Sequence, residues 1–189
     1  MIENIEKYIE ECEKQAEKEF SALDEIALYN QKKVLDAFRE HRISAMHFNP
    51  STGYGYDDVG RDTLGKLFAS VMKAESGIVS PLIANGTHAL TLTLFGLLRP
   101  GDLMLSIAGK PYDTLDEVIK GKNNGSLADF GIKYTQTELT EENEFDFAAI
   151  EKKINEQDPK VIFIQRSKGY AWRDALSVEK IGDTIAKIK

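Results

Sequence analysis

The sequence is poor in several residues that would otherwise define a function. It has one cysteine, three histidines and five prolines among 189 residues. A single Cys12 excludes an internal disulfide and a cysteine-cluster metal site, and it suits a reducing cytoplasm. His41, His47 and His88 form no close helical pair of the kind that ligates catalytic zinc, and Asp57-Asp58 is one acidic pair in a Gly/Tyr loop. No metal site is therefore expected. Positive charge is also short, since 24 Lys and Arg against 31 Asp and Glu leave a formal charge of −7. That balance argues against duplex nucleic acid and anionic membranes as partners. No run approaches the roughly 18 apolar residues of a membrane span. The start, MIENIEKYIEECEKQ, is acidic and amphipathic, unlike the basic-then-apolar opening of a signal peptide. The expectation is a cytoplasmic protein of ordinary globular composition.

The first forty residues carry a helical period. Ile2, Ile5, Ile9, Cys12, Ala16, Leu23, Ala27, Val34 and Ala37 recur at steps of three, four and seven, with Glu and Lys opposite. The pattern predicts one long helix or a break near Glu19–Ser21, where Ser21 can cap a second one. Residues 1–50 then form a helical arm, and its charged pattern suits either a solvated face or a partner subunit.

After Pro50 the texture changes. Asn49–Tyr56 is turn chemistry with aromatics in it. Strands are predicted at Gly77–Ile83, Leu103–Ile107, Ile132–Thr137 and Val161–Gln165. Helices are predicted at Arg61–Lys73, Thr87–Leu98, Asp113–Lys120, Asp146–Asn155 and Ser177–Lys189, with Asp113 and Ser177 as caps. Alternation at this spacing predicts an α/β fold with a mainly parallel sheet. The final helix calls for a further strand that the sequence does not supply, so either the fold is complete without it or a C-terminal half is missing.

The most informative segment is Ile83-Ala-Asn-Gly-Thr-His-Ala-Leu90, an apolar run that turns directly into a helix. A helix N-terminus presents unpaired N–H groups and the positive end of its dipole, which favour an anion. Gly86 admits close approach and Thr87 adds a hydroxyl. The same residues also suit a plain strand–turn–helix capped by Asn85 or Thr87. Gly55–Thr63 has the two-glycine spacing of a nucleotide loop but lacks its lysine–hydroxyl pair and follows no strand. Tyr112, after Gly109-Lys-Pro111, either covers the core or stacks on a flat cofactor. No Gly-x-Ser-x-Gly nucleophile elbow occurs.

Five segments together resemble the aluminium resistance proteins, relatives of methionine gamma-lyase and cystathionine beta-lyase. They are Ser51–Leu64 (STGYGYDDVGRDTL), Asn85–Ala89 (NGTHA), Leu98–Asp102 (LRPGD), Pro111–Leu115 (PYDTL) and Ile164–Tyr170 (IQRSKGY). The resemblance implies a fold-type I pyridoxal 5'-phosphate (PLP) enzyme, with residues 51–189 as the N-terminal part of its large domain. It implies a homodimer or homotetramer that eliminates at the β or γ carbon of a sulfur amino acid, a small-molecule substrate. Carried over, Gly86 and Thr87 bind the cofactor phosphate beside Asn85 and His88, and Tyr112 stacks on the pyridine ring. Tyr56 and Arg61 reach a phosphate across the dimer, and Gln165, Arg166 and Ser167 lie near the cofactor's edge. Asn85 stands where the family pattern has serine, and Ser80 where it has arginine. The lysine that anchors the cofactor and the acid at its ring nitrogen fall beyond the matched segments, and Lys168 is not in the anchoring position. No catalytic residue is therefore assigned. The expectation is the front portion of a lyase that binds PLP weakly and does not turn over. A non-catalytic oligomerisation module and an unrelated phosphate-binding α/β domain are the alternatives.

Overall fold

The computed structural model describes residues 2–52, 54 and 58–188. The chain divides into two compact units, Met1–Leu82 and Ile83–Lys189.

The first unit is helical. Helix α1 spans Ile2–Gln15 and α2 spans Glu17–Glu40. The break falls at Ala16, not at Glu19–Ser21. The apolar step there is four followed by four (Cys12, Ala16, Phe20), which slips the three-four alternation of a straight seam. The Ala16 amide shares the Cys12 and Glu13 carbonyls at 3.2 and 3.1 Å, so the helix bends without losing its ladder. A 3-10 turn at Ala45–Phe48 leads toward α3, Val59–Met72. Asp58 caps α3 by accepting the Arg61 amide at 2.9 Å and the Ser51 hydroxyl at 2.6 Å. Those two bonds, Ser51's first, hold the Asp58 carboxyl below its ordinary value.

The expected strand at Gly77–Ile83 is absent. The segment is irregular, and Ile78 and Leu82 stand 88% and 84% exposed. Two causes combine. Pro81 lacks the amide that a ladder needs. Gly77 is also held against α3 backbone to backbone: a Cβ on Gly77 would lie 2.8 Å from the Gly65 carbonyl oxygen, and one on Gly65 would strike the Gly77 carbonyl.

The second unit is α/β. Helix α4 is Gly86–Leu97, β1 is Leu103–Ser106, α5 is Asp113–Lys120, β2 is Lys133–Gln136, α6 is Phe147–Gln157, β3 is Val161–Phe163 and α7 is Val178–Ile188. The sheet is parallel with order β2-β1-β3. Alternating side chains of β1 divide the core. Met104 packs with Leu94, Leu98, Leu115 and Ile119 from α4 and α5, whereas Leu105 and Ile107 pack with Ile150 of α6 and Leu176. Helices thus cover both faces of a mostly hydrophobic sheet, as parallel strands require. Ser177 caps α7 by accepting the Lys180 amide, as read from sequence, and Asp146 caps α6 by accepting the Ala149 amide. The cap of α5 is Tyr112, not Asp113. Asp113 already has helical geometry and serves as a first-turn acid.

Candidate functional site

The strand order places the turn-back between β1 and β3. In open parallel sheets, ligand crevices form outside the carboxyl ends of the strands at this reversal. Three segments meet there: the start of α4, the loop after β1, and the loop after β3.

Asn85 is extended and caps α4, its side-chain oxygen accepting the His88 amide at 2.9 Å. The His88 imidazole Nδ1 accepts the Ala84 amide at 3.2 Å, so it ties the incoming chain to the helix. The Ala89 amide makes the first helical bond, to the Asn85 carbonyl. The Gly86 and Thr87 amides donate to no group among the described residues, and both lie at the positive end of the helix. A Cβ placed on Gly86 would meet nothing within 4 Å. Packing therefore does not demand glycine at this position; the space in front of it is open.

The Thr87 hydroxyl lies 3.0 Å from the Tyr112 hydroxyl and 3.4 Å from that of Thr114. Tyr112 is half-buried, and its amide donates to the Gln165 side-chain oxygen at 3.0 Å, bridging the ends of β1 and β3. Gln165 donates in turn to the Ser167 carbonyl at 3.0 Å. Gly169, at φ 57°, backs Tyr112, with room for a Cβ only at 3.5 Å from the tyrosine's own. Beside Tyr112, burial pushes the Asp116 carboxyl up. Lys120 at 2.9 Å and Lys110 at 3.3 Å outweigh that and hold it below its ordinary value.

The sequence-derived residues thus separate into groups. Thr87, Tyr112, Gln165 and Ser167 are linked in a chain of hydrogen bonds, and Asn85, Gly86 and His88 form the helix start that carries Thr87. Arg166 is on the same loop with its side chain exposed, and Lys168 beside it is also exposed. Arg61 belongs to the first unit, where it pairs with Asp62 at 3.1 Å. Tyr56 lies outside the described residues, as does Asp57. No group of three metal-ligating side chains exists among the described residues. Two residues bonded to this group escaped sequence reasoning. Thr114 was inside a quoted motif but carried no spacing signal of its own. Arg173 donates to the Ser167 carbonyl at 3.1 Å and to the Asp174 carbonyl at 2.9 Å, fastening the loop.

Comparison with known proteins gives the family. The family model described as methionine gamma-lyase matches residues 5–189. The chain belongs to the methionine gamma-lyase family. It is 49% identical over 170 residues to the Bacillus subtilis protein YnbB, covering 88% of this chain and 40% of that one. A solved structure from Listeria innocua, named as a candidate cystathionine beta-lyase involved in aluminum resistance, superposes with TM-score 0.90. It is 49% identical and covers 100% of this chain and 46% of its own. A carbon-sulfur lyase involved in aluminum resistance from Clostridium novyi superposes at 0.88 with 44% identity, covering 99% of this chain and 45% of its own. The chain spans less than half the length of these methionine gamma-lyase family relatives.

Proposed function

We propose that this chain contributes the phosphate-holding part of a PLP-dependent carbon–sulfur lyase acting on a sulfur amino acid, within a partial fold-type I large domain. The observation that carries the reading is the open N-terminus of α4, whose two unpartnered amides sit with Thr87 beside the Tyr112 hydroxyl at 3.0 Å. This donor set suits the phosphate of PLP. Gly86 and Thr87 would accept it through their amides, the Thr87 hydroxyl would add a bond, and Asn85 would fix the helix end. The helix dipole contributes on the order of 0.3–1 kcal/mol toward an anion at such an end.

When bound, the conjugated ring of the cofactor serves as an electron sink for the amino-acid substrate. The part played by this chain is positional. Tyr112, held at its backbone by Gln165, would lie against the ring, and such a contact is worth about 0.5–1.5 kcal/mol beyond burial. Arg173 holds the Gln165 and Ser167 carbonyls, and through them would keep this loop at the cofactor's edge.

Titration of the chain with PLP, pyridoxal and inorganic phosphate tests the reading. Weak binding of PLP is expected, with pyridoxal much weaker and no lyase turnover. Gly86→Ala should keep the fold, because its Cβ meets nothing, yet lose PLP affinity, because the methyl enters the anion's space. Equal affinity for phosphate and PLP would leave a generic anion site. A borohydride-stable adduct at one lysine with turnover would show a complete enzyme and overturn the proposed division of labour.

A further inference from the structure

The chain contains two Asn-Gly pairs, Asn85-Gly86 and Asn124-Gly125, and both are exposed. Such pairs lose ammonia without an enzyme, because glycine carries no side chain to obstruct ring closure. The glycine nitrogen gives up its proton and attacks the asparagine Cγ. The Cγ–Nδ2 bond breaks, ammonia leaves with that proton, and a five-membered imide remains. One water then opens the imide to aspartate or to isoaspartate. What differs between the two pairs is the environment of the attacking nitrogen.

At Asn124 the fold blocks the first step. The Gly125 amide donates to Asp129 Oδ2 at 3.0 Å, and the same carboxylate accepts the Asn123 and Asn124 amides at 3.2 and 2.9 Å. A carboxylate in that place holds the proton and repels the amide anion. The Asn124 side chain is fixed as well. Its Oδ1 accepts the Ser126 amide at 3.2 Å, and its amide group lies over Gly121, where an added Cβ would strike it. At Asn85 the electrostatics reverse. The Gly86 amide has no acceptor among the described residues and lies at the positive end of α4, which favours loss of its proton. The cap bond from the His88 amide to Asn85 Oδ1, at 2.9 Å, puts a donor on the oxygen that gains charge when Cγ is attacked. The space in front of Gly86 is open.

We propose that Asn85-Gly86 is a self-modifying site, at which deamidation closes the anion cradle of α4 while Asn124 is spared. The closing of the cradle rests on the phosphate reading above. Serine, which the family pattern has at this position, offers no side-chain carbonyl to attack, so the asparagine of this chain introduces the reaction. Aspartate at position 85 still caps the helix and suits its dipole, so the fold persists. Its negative charge stands beside the two amides proposed to hold phosphate and repels that anion. Isoaspartate also inserts a methylene into the main chain at the helix start. A phosphate seated on the Gly86 amide holds the proton there, as Asp129 does at Gly125, so an occupied cradle is protected.

Incubation of the full chain at mildly alkaline pH, followed by peptide mapping with mass spectrometry, tests the proposal. In the folded chain Asn85 should convert about tenfold faster than Asn124, the ratio expected from a one-unit difference in amide acidity. In urea the two rates should converge. Asp129→Asn should release Asn124 and leave Asn85 unchanged. Inorganic phosphate, set against sodium chloride of equal ionic strength, should slow Asn85 relative to Asn124. Asn85→Asp should keep the urea midpoint and bind PLP about tenfold more weakly than freshly prepared native chain. Equal rates at the two sites in the folded chain, or faster conversion of Asn124, would overturn the inference. So would an Asn85→Asp chain that binds PLP as tightly as the fresh native chain. Failure of the fresh native chain to bind PLP would overturn the phosphate reading, and with it the closing of the cradle. The ratio of the two rates, measured without ligand, would still decide where the chain modifies itself.

Discussion

Asn85 shows how much a single side chain organises. Its one bond, to the His88 amide, sets where α4 starts and therefore which amides stay free. Asn85→Ala should cost about 1 kcal/mol of stability, seen as a lower urea midpoint. It should also weaken PLP binding, because the frayed turn no longer aims its amides. The sequence made Asn85, Gly86, Thr87 and Tyr112 readable because glycine and cap residues act through backbone geometry that is local in the chain. Thr114 and Arg173 were not readable, because their bonds depend on loops that meet only after folding. Tyr134 is another such case. Burial, helped by the nearby Asp116 and Glu138 carboxylates, pushes its phenol up to about 12 from an ordinary 10.0. Its hydroxyl donates to Gln136 at 2.7 Å. The fold favours the neutral phenol, so the stabilisation is complete below pH 10 and is lost as pH rises toward 12. The urea midpoint should fall across that window, and Tyr134→Phe should remove this part of the fall.

At the scale of elements, helices were legible and one strand was not. Helix periodicity is written in contiguous residues, so α2 to α7 appear within a few residues of their expected ends. The run Gly77–Ile83 has a strand's composition, but a strand exists only if a ladder partner is free. Among the described residues the outer edges of β2 and β3 stay open, but Pro81 lacks a ladder amide and Gly77 is held against α3, so the segment pairs with neither. What holds this segment is the contact between Gly65 and Gly77, two glycines that no local pattern links. Gly65→Ala places a methyl into the Gly77 carbonyl and should destabilise the first unit by about 1–3 kcal/mol, measured by helical circular dichroism in urea. Gly86→Ala makes the contrast. The same substitution there meets open space, so it separates a glycine required by packing from one proposed to serve a ligand.

Across the whole molecule, burial is unequal. Among the described residues, the buried apolar side chains of the first unit are Ala37, Leu67 and Ala69. The second unit encloses two clusters, one on each face of β1, that include Met104, Leu105, Leu115 and Ile150, each at 0% exposure. Each fully buried leucine or isoleucine contributes roughly 1.5–3 kcal/mol relative to leaving it exposed, so most of the chain's hydrophobic stabilisation belongs to residues 83–189. The link between the units is the irregular stretch after Lys73, where Leu82 stands 84% exposed. Local opening needs least free energy where few apolar contacts are lost. Brief digestion with chymotrypsin should therefore cut after Leu82 before it cuts at any buried aromatic. Amide exchange should be slowest in β1 and α5 and fast in α1. If β1 exchanged as rapidly as α1, the two clusters would not form the cooperative core that holds Thr87, Tyr112 and Gln165 in one chain of hydrogen bonds.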